Sequence, residues 1–196
     1  MRKIKLPKKP MRKNKLPKFK RVILGVTASI AAYKSADIIR RLQEKGYRVS
    51  VIMTRESEKF ITALTLASLA GEKVHQDLFD DTDHAWHMSH ITLVQEADVF
   101  LITPATANVI GKIANGLADD LLTCAAMATK APILIAPAMN TDMYNNKVVQ
   151  DNIARLKKIG VHFIEPITGK LACGTMGEGH LADIEDIVKS VIRLAK

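Results

Sequence analysis

Residues 21–46, RVILGVTASIAAYKSADIIRRLQEKG, decide how this chain folds. The β-branched and apolar run at 21–27 predicts a strand, and the small polar residues Thr27 and Ser29 predict a tight turn after it. The apolar spacing that follows is typical of a helix, which ends at Gly46. A strand followed directly by a helix is the opening of a unit whose strands run parallel, so the segment predicts an α/β protein.

The same alternation continues along the rest of the chain. Predicted strands occupy 47–53, 97–103, 131–139 and 161–166, and predicted helices occupy 57–71, 104–116, 117–129, 146–160 and 184–195. Strands such as APILIAPAM are apolar on both faces and therefore have no solvent side. We predict a doubly wound α/β fold, with a mostly parallel sheet covered by helices on both faces.

The positive charge of the chain is concentrated at its amino terminus. The formal net charge is +9, but eleven of the 29 Lys and Arg residues lie at or before Arg21, which leaves 18 basic against 20 acidic residues, a net charge near −2. Residues 1–20, MRKIKLPKKP followed by MRKNKLPKFK, form a near-repeat without apolar periodicity and predict a disordered basic tail. Residues 21–196 then form a single domain with no basic face, so no nucleic acid is expected as a partner.

Membrane and disulfide signals are weak in this sequence. No stretch approaches the roughly 20 apolar residues that span a bilayer, and no apolar run follows the basic start as in a secretory signal. We therefore expect a cytoplasmic protein without a membrane partner. Cys124 and Cys173 lie far apart in a chain without an export signal, which disfavours a structural disulfide.

The loops that follow the predicted strands carry small polar side chains. In a doubly wound sheet, ligands bind outside the carboxyl ends of the strands, here 26–30, 53–60, 103–109 and 136–145. These loops contain Thr27, Ser29, Thr54, Thr106, Asn108 and Asn140. Facing one crevice, such residues suit a mononucleotide, with its phosphate at a helix start, whereas the absence of G-x-G-x-x-G argues against NAD. Each of them is also typical of a helix cap or a turn.

Five motifs carry a resemblance to a known family. They are GVTASIAAYK (25–34), SHITL (89–93), PATANVIGKIANGLADDLL (104–122), APAMNTDMYNN (136–146) and LACGTMGEGHL (171–181). In this order they closely resemble the flavin-dependent phosphopantothenoylcysteine decarboxylases, members of the homo-oligomeric flavin-containing cysteine decarboxylases. The resemblance covers about residues 20–190 and implies a flavodoxin-like or Rossmann-like flavoprotein with FMN as its cofactor.

The resemblance also implies a role for individual residues. It implies FMN contacts at Ala28, Ser29, Ile30, Thr54, Phe60, Thr106, Ala107, Asn108 and Ala138. It implies His90 and Cys173 as catalytic residues, with Cys173 the proton donor. It implies substrate contacts at Asn140, which would hold the carboxylate, and at Met143, Ala172 and Gly174.

The implied reaction converts 4′-phosphopantothenoylcysteine to 4′-phosphopantetheine and CO₂ in coenzyme A biosynthesis. A cysteinyl carboxylate cannot simply lose CO₂, because no electron sink lies next to the carbanion; oxidation of the sulfur-bearing carbon by flavin creates one. A thiol with an unperturbed pKa of about 8.5 is mostly protonated at neutral pH, so Cys173 is a suitable acid. Its glycine-rich surroundings predict a flexible loop that brings the thiol in after CO₂ has left.

Two alternative functions and one alternative site remain open. A peptidyl-cysteine decarboxylase would stop at the enethiol and need no proton donor, and a flavin-bearing regulatory subunit would have no enzymatic role. His84, His87 and His90 are three apart, but histidines in a polar loop often only cover the surface, so no metal is predicted.

The resemblance also implies a homotrimer, alone or in an oligomer of trimers, and a separate synthetase as a partner. Ala28 and His180 depart from the residues usual in the family.

Overall fold

The computed structural model describes residues 20–78, 93–170 and 176–195. Its main sheet has five strands, β1 (Arg21–Val26), β2 (Arg48–Met53), β3 (Val99–Ala105), β4 (Ile133–Pro137) and β5 (His162–Phe163). All neighbouring pairs are parallel and the order is β2-β1-β3-β4-β5. The predicted doubly wound fold is confirmed.

The helices cover both faces of this sheet. They are α1 (Ser35–Glu44), α2 (Ala63–Ala70), α3 (Ala107–Ala114), α4 (Leu121–Ala128), α5 (Thr141–Tyr144), α6 (Lys147–Lys158) and α7 (Ile184–Leu194), with 3-10 helices at Ile30–Lys34 and Arg55–Lys59. Leu101 of β3 belongs to the apolar cluster formed with α1 and α7. Phe100, the residue before it, belongs to the opposite cluster, formed with α3, α4 and α6. Successive strand residues thus fill two separate cores, as expected for a strand buried on both faces.

Several predicted elements are shorter in the structure than in the sequence prediction, among them one helix and one strand. The helix predicted from residue 57 begins at Ala63, because Thr62 caps it by accepting a hydrogen bond from the Thr65 amide at 3.2 Å. Before that point Ser57 is bound locally, its hydroxyl donating to the Thr54 carbonyl at 2.6 Å. The strand predicted at 161–166 is reduced to two residues, His162–Phe163.

A two-stranded antiparallel sheet was not predicted. It pairs β6 (Ile167–Lys170) with β7 (Met176–His180), so the flexible-loop prediction is wrong for residues 176–180. The glycines of β7 permit close approach rather than flexibility: a Cβ at Gly179 would lie 2.3 Å from the Met139 carbonyl oxygen. The Gly179 φ of 130° also disfavours other residues. The hairpin is therefore docked on the loop after β4.

The helices of the described residues are all short or amphipathic. Within ranges 20–78, 93–170 and 176–195, none is long and apolar enough to cross a bilayer.

Candidate functional site

A crevice of about 610 Å³ lies at the carboxyl edge of the sheet. The connection after β1 leads to α1 on one face, and the connection after β3 leads to α3 on the other, so the strand order reverses between these neighbours. Ligands of doubly wound sheets bind at such a switch point. The crevice is lined by Ala28, Ser29, Ile30, Ala31, Tyr33, Lys34, Phe60, Thr106, Ala138, Met139, Asn140, Met143, Gly179, His180 and Leu181.

Hydroxyl groups hold the turns after β1 and β3 together. The Thr27 hydroxyl donates to the Pro104 carbonyl at 2.7 Å and accepts from the Thr106 amide at 3.1 Å. Thr27 is buried, so its side chain joins the two turns and does not face a ligand. The Ser29 hydroxyl accepts from the Ala31 amide at 3.4 Å and also lines the crevice. Of these two hydroxyls in the turn after β1, that of Ser29 lines the crevice and that of Thr27 does not.

The loop after β4 supplies a second wall of the crevice. Asn140 caps helix α5, since its Oδ1 accepts from the amides of Asp142 at 2.8 Å and Met143 at 3.3 Å. One residue beyond Met143, the buried Tyr144 hydroxyl donates to Glu165 Oε2 at 2.6 Å. Burial and this carboxylate raise the pKa of Tyr144, so the hydroxyl stays protonated as the donor. Capping and the Tyr144 contact fix Asn140 and Met143 at the crevice.

The structure brings most of the predicted site residues together. Ala28, Ser29, Ile30, Phe60, Thr106 and Ala138 line the same crevice as Asn140 and Met143. Thr54 instead lines a neighbouring crevice of about 460 Å³, beside Lys112 and Asp120. Ala107 and Asn108 lie in the first turn of α3, which Thr106 caps, and are not among the lining residues. His90, Cys173, Ala172 and Gly174 lie outside the described residues.

Sequence reasoning missed Lys34 and assigned no role to His180. Both line the crevice, and Lys34 Nζ lies 3.1 Å from His180 Nε2. Burial and the Lys34 charge lower the pKa of His180, with Asp183 acting in the opposite direction. Lys34 was visible in the GVTASIAAYK motif, but nothing local indicated that it meets a residue 146 positions away.

The described walls suit a flat ring with polar edges. Ile30, Phe60 and Met143 are large apolar side chains that remain about half exposed at this crevice. Such surface at a pocket is typical of ligand binding. The Thr54 Oγ1 atom, at the neighbouring crevice, is buried and has no hydrogen-bond partner among the described residues. The residues that the structure describes contain no group of three or more His, Cys, Asp or Glu side chains able to hold a metal.

Comparison with known families identifies the class of protein that this fold and crevice define. Residues 10–196 match the family model described as Flavoprotein. The chain belongs to the flavoprotein family.

Individual relatives narrow the comparison within that family. The bifunctional coenzyme A biosynthesis protein CoaBC of Bacillus subtilis is 45% identical over 168 residues, which is 86% of this chain and 41% of that protein. This chain therefore spans about two fifths of the length of such bifunctional relatives. A probable phosphopantothenoylcysteine decarboxylase of Streptococcus mutans is 42% identical over 174 residues, 88% of this chain and 97% of that protein.

Solved structures agree with the sequence relatives. A cysteine-to-serine variant of a PPC decarboxylase, complexed with pantothenoylaminoethenethiol, matches with a TM-score of 0.78 and 34% identity over 89% of this chain and 97% of that one. The FMN-dependent cysteine decarboxylase SpaF matches with a TM-score of 0.77 and 30% identity over 90% of this chain and 98% of that one.

Proposed function

We propose that residues 21–196 form an FMN-dependent phosphopantothenoylcysteine decarboxylase, which converts 4′-phosphopantothenoylcysteine to 4′-phosphopantetheine and CO₂ in coenzyme A biosynthesis. The observation that carries the proposal is the crevice at the β1/β3 switch point. There, residues expected to contact a flavin meet Asn140 and Met143 of the APAMNTDMYNN motif. The decarboxylase of Streptococcus mutans, which this chain matches over nearly its whole length, supports the same activity.

The described residues would bind and orient both ligands. Ile30, Phe60 and Ala138 offer apolar contact to the ring, and the Ser29 hydroxyl, which accepts from the Ala31 amide, can donate its own proton to a phosphate. The Asn140 Oδ1 accepts hydrogen bonds in capping α5, so its amide nitrogen is the atom of that side chain that would donate to a substrate carboxylate. When bound, flavin supplies the hydride acceptor and donor that cysteine decarboxylation requires.

His90 and Cys173 complete the proposal from sequence alone. We assign His90 to the first, oxidative half of the reaction and Cys173 to protonation of the carbon that loses CO₂. A neutral thiol donates a proton readily near its unperturbed pKa of about 8.5. Cys173→Ser should then accumulate the oxidised enethiol, whereas His90→Asn should block the first step.

The assembly and location belong to the same proposal. We propose a cytoplasmic homotrimer, alone or as a unit of a larger assembly, working with a synthetase on a separate chain. This chain matches less than half of the length of the bifunctional relatives, which supports a synthetase on a separate chain as its partner. Light scattering of the purified full chain would measure the subunit number.

The decisive test is CO₂ release from 4′-phosphopantothenoylcysteine by the full chain, with and without added FMN. Release that depends on FMN, with 4′-phosphopantetheine as product, supports the proposal. No release by a protein that is visibly flavin-loaded contradicts it. Flavin reduction and enethiol accumulation with a peptide ending in cysteine would identify a peptidyl-cysteine decarboxylase instead. Flavin binding without turnover on either substrate would leave the regulatory-subunit function.

A further inference from the structure

Lys34 places a positive charge in the crevice, where no carboxylate of the described residues pairs with it. Among the described residues, its ammonium group is bound by the His180 imidazole at 3.1 Å and by no acidic side chain. Lys112 offers a contrast, because its ammonium lies 2.8 Å from Asp119 and 2.9 Å from Asp120. Within the part of the chain that the structure describes, no Asp or Glu lines the crevice. The Lys34 charge is therefore not neutralised by these residues.

His180 holds the Lys34 ammonium in place. It is the last residue of β7, and its ring lies so close to β6 that a Cβ on Gly169 would be 3.3 Å from His180 Cγ. Because the His180 pKa is lowered, first by burial and then by the Lys34 charge, the ring is neutral at neutral pH. A neutral Nε2 can accept a hydrogen bond from the Lys34 ammonium, which leaves two ammonium hydrogens for another acceptor.

The surroundings of this pair favour an anionic ligand. Most side chains of the crevice are apolar, and a cation at an apolar wall is stabilised when a ligand oxygen carries the opposite charge. The pair also lies on the side of the crevice that Asn140 occupies. The Gly179 carbonyl accepts a hydrogen bond from the Met139 amide at 3.0 Å. His180 follows Gly179 and Asn140 follows Met139, so this bond brings the backbones of His180 and Asn140 close together.

We infer that Lys34 and His180 together bind an anionic oxygen group of the substrate, its carboxylate or its phosphate, beside Asn140. Lys34 donates to the anion, and His180 positions Lys34 from the opposite side. The inference rests on the proposed function, since that function supplies a substrate with both groups. It assigns the pair to the substrate and not to the phosphate of FMN.

The test compares two variants with two matched controls. Lys34→Met and His180→Asn alter the pair, while Lys158→Met and His162→Asn alter an exposed lysine on α6 and an exposed histidine on β5. Each protein is titrated with FMN, measured by quenching of flavin fluorescence. The FMN-loaded proteins are then titrated with pantothenoylcysteine, which lacks the phosphate, and with 4′-phosphopantetheine, which lacks the carboxylate, measured by perturbation of the flavin absorbance.

A hydrogen bond to a charged group is worth about 1.5–3 kcal/mol, so Lys34→Met should weaken one of the two ligands by roughly tenfold to a hundredfold. His180→Asn should weaken the same ligand by about threefold, because the amide can still accept from Lys34. FMN affinity should change by less than about twofold, as should all affinities of the controls. Loss confined to pantothenoylcysteine identifies the carboxylate, and loss confined to 4′-phosphopantetheine identifies the phosphate.

Two results would overturn the inference: a tenfold loss of FMN affinity with both titrations unchanged, or no change in any titration. The binding readouts do not require turnover. A wild-type chain that binds these ligands through Lys34 but releases no CO₂ would therefore contradict the proposed function and leave the anion site intact.

Discussion

At the scale of single residues, structural and ligand-binding roles share the same side chains. Asn140 caps a helix through its carbonyl oxygen while its side chain lines the crevice. From the sequence, a helix cap and a ligand contact were alternative interpretations of Asn140. An amide group has both an acceptor oxygen and donor hydrogens, so one side chain can have both roles. Thr27 shows the other outcome, because its hydroxyl is fully used between two turns.

Asn140→Asp separates the two roles of this residue. Asp is as good an N-cap as Asn, so the free energy of unfolding should change by less than about 0.5 kcal/mol. The new carboxylate would lack an amide donor and would repel an anionic substrate, so kcat/KM should fall by at least about a hundredfold. Urea unfolding and steady-state kinetics measure the two effects.

Asn146→Asp is the matched control for this substitution. Asn146 caps α6 by accepting from the Val148 amide at 2.9 Å, and it does not line the crevice. Its replacement should leave both stability and turnover unchanged. Equal activity losses in the two variants would show that Asn140 acts only as a cap.

At the scale of elements, polar side chains at helix N-termini fix the ends of the helices at or near the crevice. Helix α4 begins with a capping box in which Asp120 accepts from the Thr123 amide at 2.8 Å and the Thr123 hydroxyl accepts from the Asp120 amide at 3.3 Å. Lys112 of α3 donates to the same carboxylate at 2.9 Å. Asp120 thus joins two helices on one face of the sheet.

Asp120→Ala should lower the free energy of unfolding by about 0.5–2 kcal/mol at pH 7, the usual range for loss of an N-cap. Burial raises the pKa of Asp120, but hydrogen bonds from Thr123 and Lys112 outweigh it, so the pKa is lowered in the folded state. A carboxylate of this kind stabilises the fold above its unfolded pKa, and the contribution is lost as pH falls through the folded pKa. The difference from wild type should therefore shrink below about pH 4.

Asp119→Ala provides the comparison for Asp120→Ala. Asp119 pairs with the same Lys112 at 2.8 Å but is largely exposed and caps no helix. Its loss should cost less than about 0.5 kcal/mol. Equal costs for the two variants in urea unfolding at pH 7 would contradict the importance of the cap.

The hairpin β6–β7 depends on close backbone approach. Gly179→Ala should destabilise it because the Cβ would lie 2.3 Å from the Met139 carbonyl oxygen, in addition to the cost of a φ of 130°. Gly46→Ala is the control, since Gly46 has a φ of 82° and a Cβ added there would meet nothing within 4 Å. A positive φ costs about 1–2 kcal/mol, and we expect Gly179→Ala to cost at least about 1 kcal/mol more.

Urea unfolding and FMN titration of both glycine variants measure this difference. The crevice includes Gly179, so Gly179→Ala should also weaken FMN binding, whereas Gly46→Ala should not. Equal losses of stability and unchanged FMN affinity in both variants would show that the hairpin tolerates a side chain at residue 179.

At the scale of the whole molecule, two apolar clusters sandwich one parallel sheet, and the crevice opens where its strand order reverses. The loops after β1, β2, β3 and β4 and strand β7 all line this crevice, through Ser29, Phe60, Thr106, Ala138 and Gly179, so a ligand there would contact all five segments. We therefore expect ligand binding to stabilise the whole fold and not one element alone.

FMN should stabilise the protein against heat. A ligand that binds only the folded state at a concentration 100 times its Kd adds about 2.7 kcal/mol to the free energy of unfolding. For a chain of this size the Tm should rise by about 5–10 °C. Adenosine monophosphate, which has a phosphate but no tricyclic ring, should have a much smaller effect in the same calorimetric scan. Equal shifts with both ligands would contradict a flavin-specific crevice.

Much of the fold followed from local patterns. Apolar runs such as RVILGV and APILIAP predicted strands, and the helices between them required the parallel, doubly covered sheet. Most of the expected FMN positions also reached one crevice, because the carboxyl ends of parallel strands share an edge. Thr54 did not line that crevice, since the segment after β2 forms a 3-10 helix that places it beside α4.

The sequence by itself determined the succession along the chain of the five parallel strands and of the main helices between them, since hydrophobic periodicity and helix caps act over a few residues. It also placed the site at the carboxyl edge of the sheet. Only the tertiary structure decided that Thr27 joins two turns, that glycines 177 and 179 dock a hairpin, and that Lys34 meets His180. These contacts join residues far apart in the chain, and no local pattern encodes which distant side chain will lie within hydrogen-bond distance.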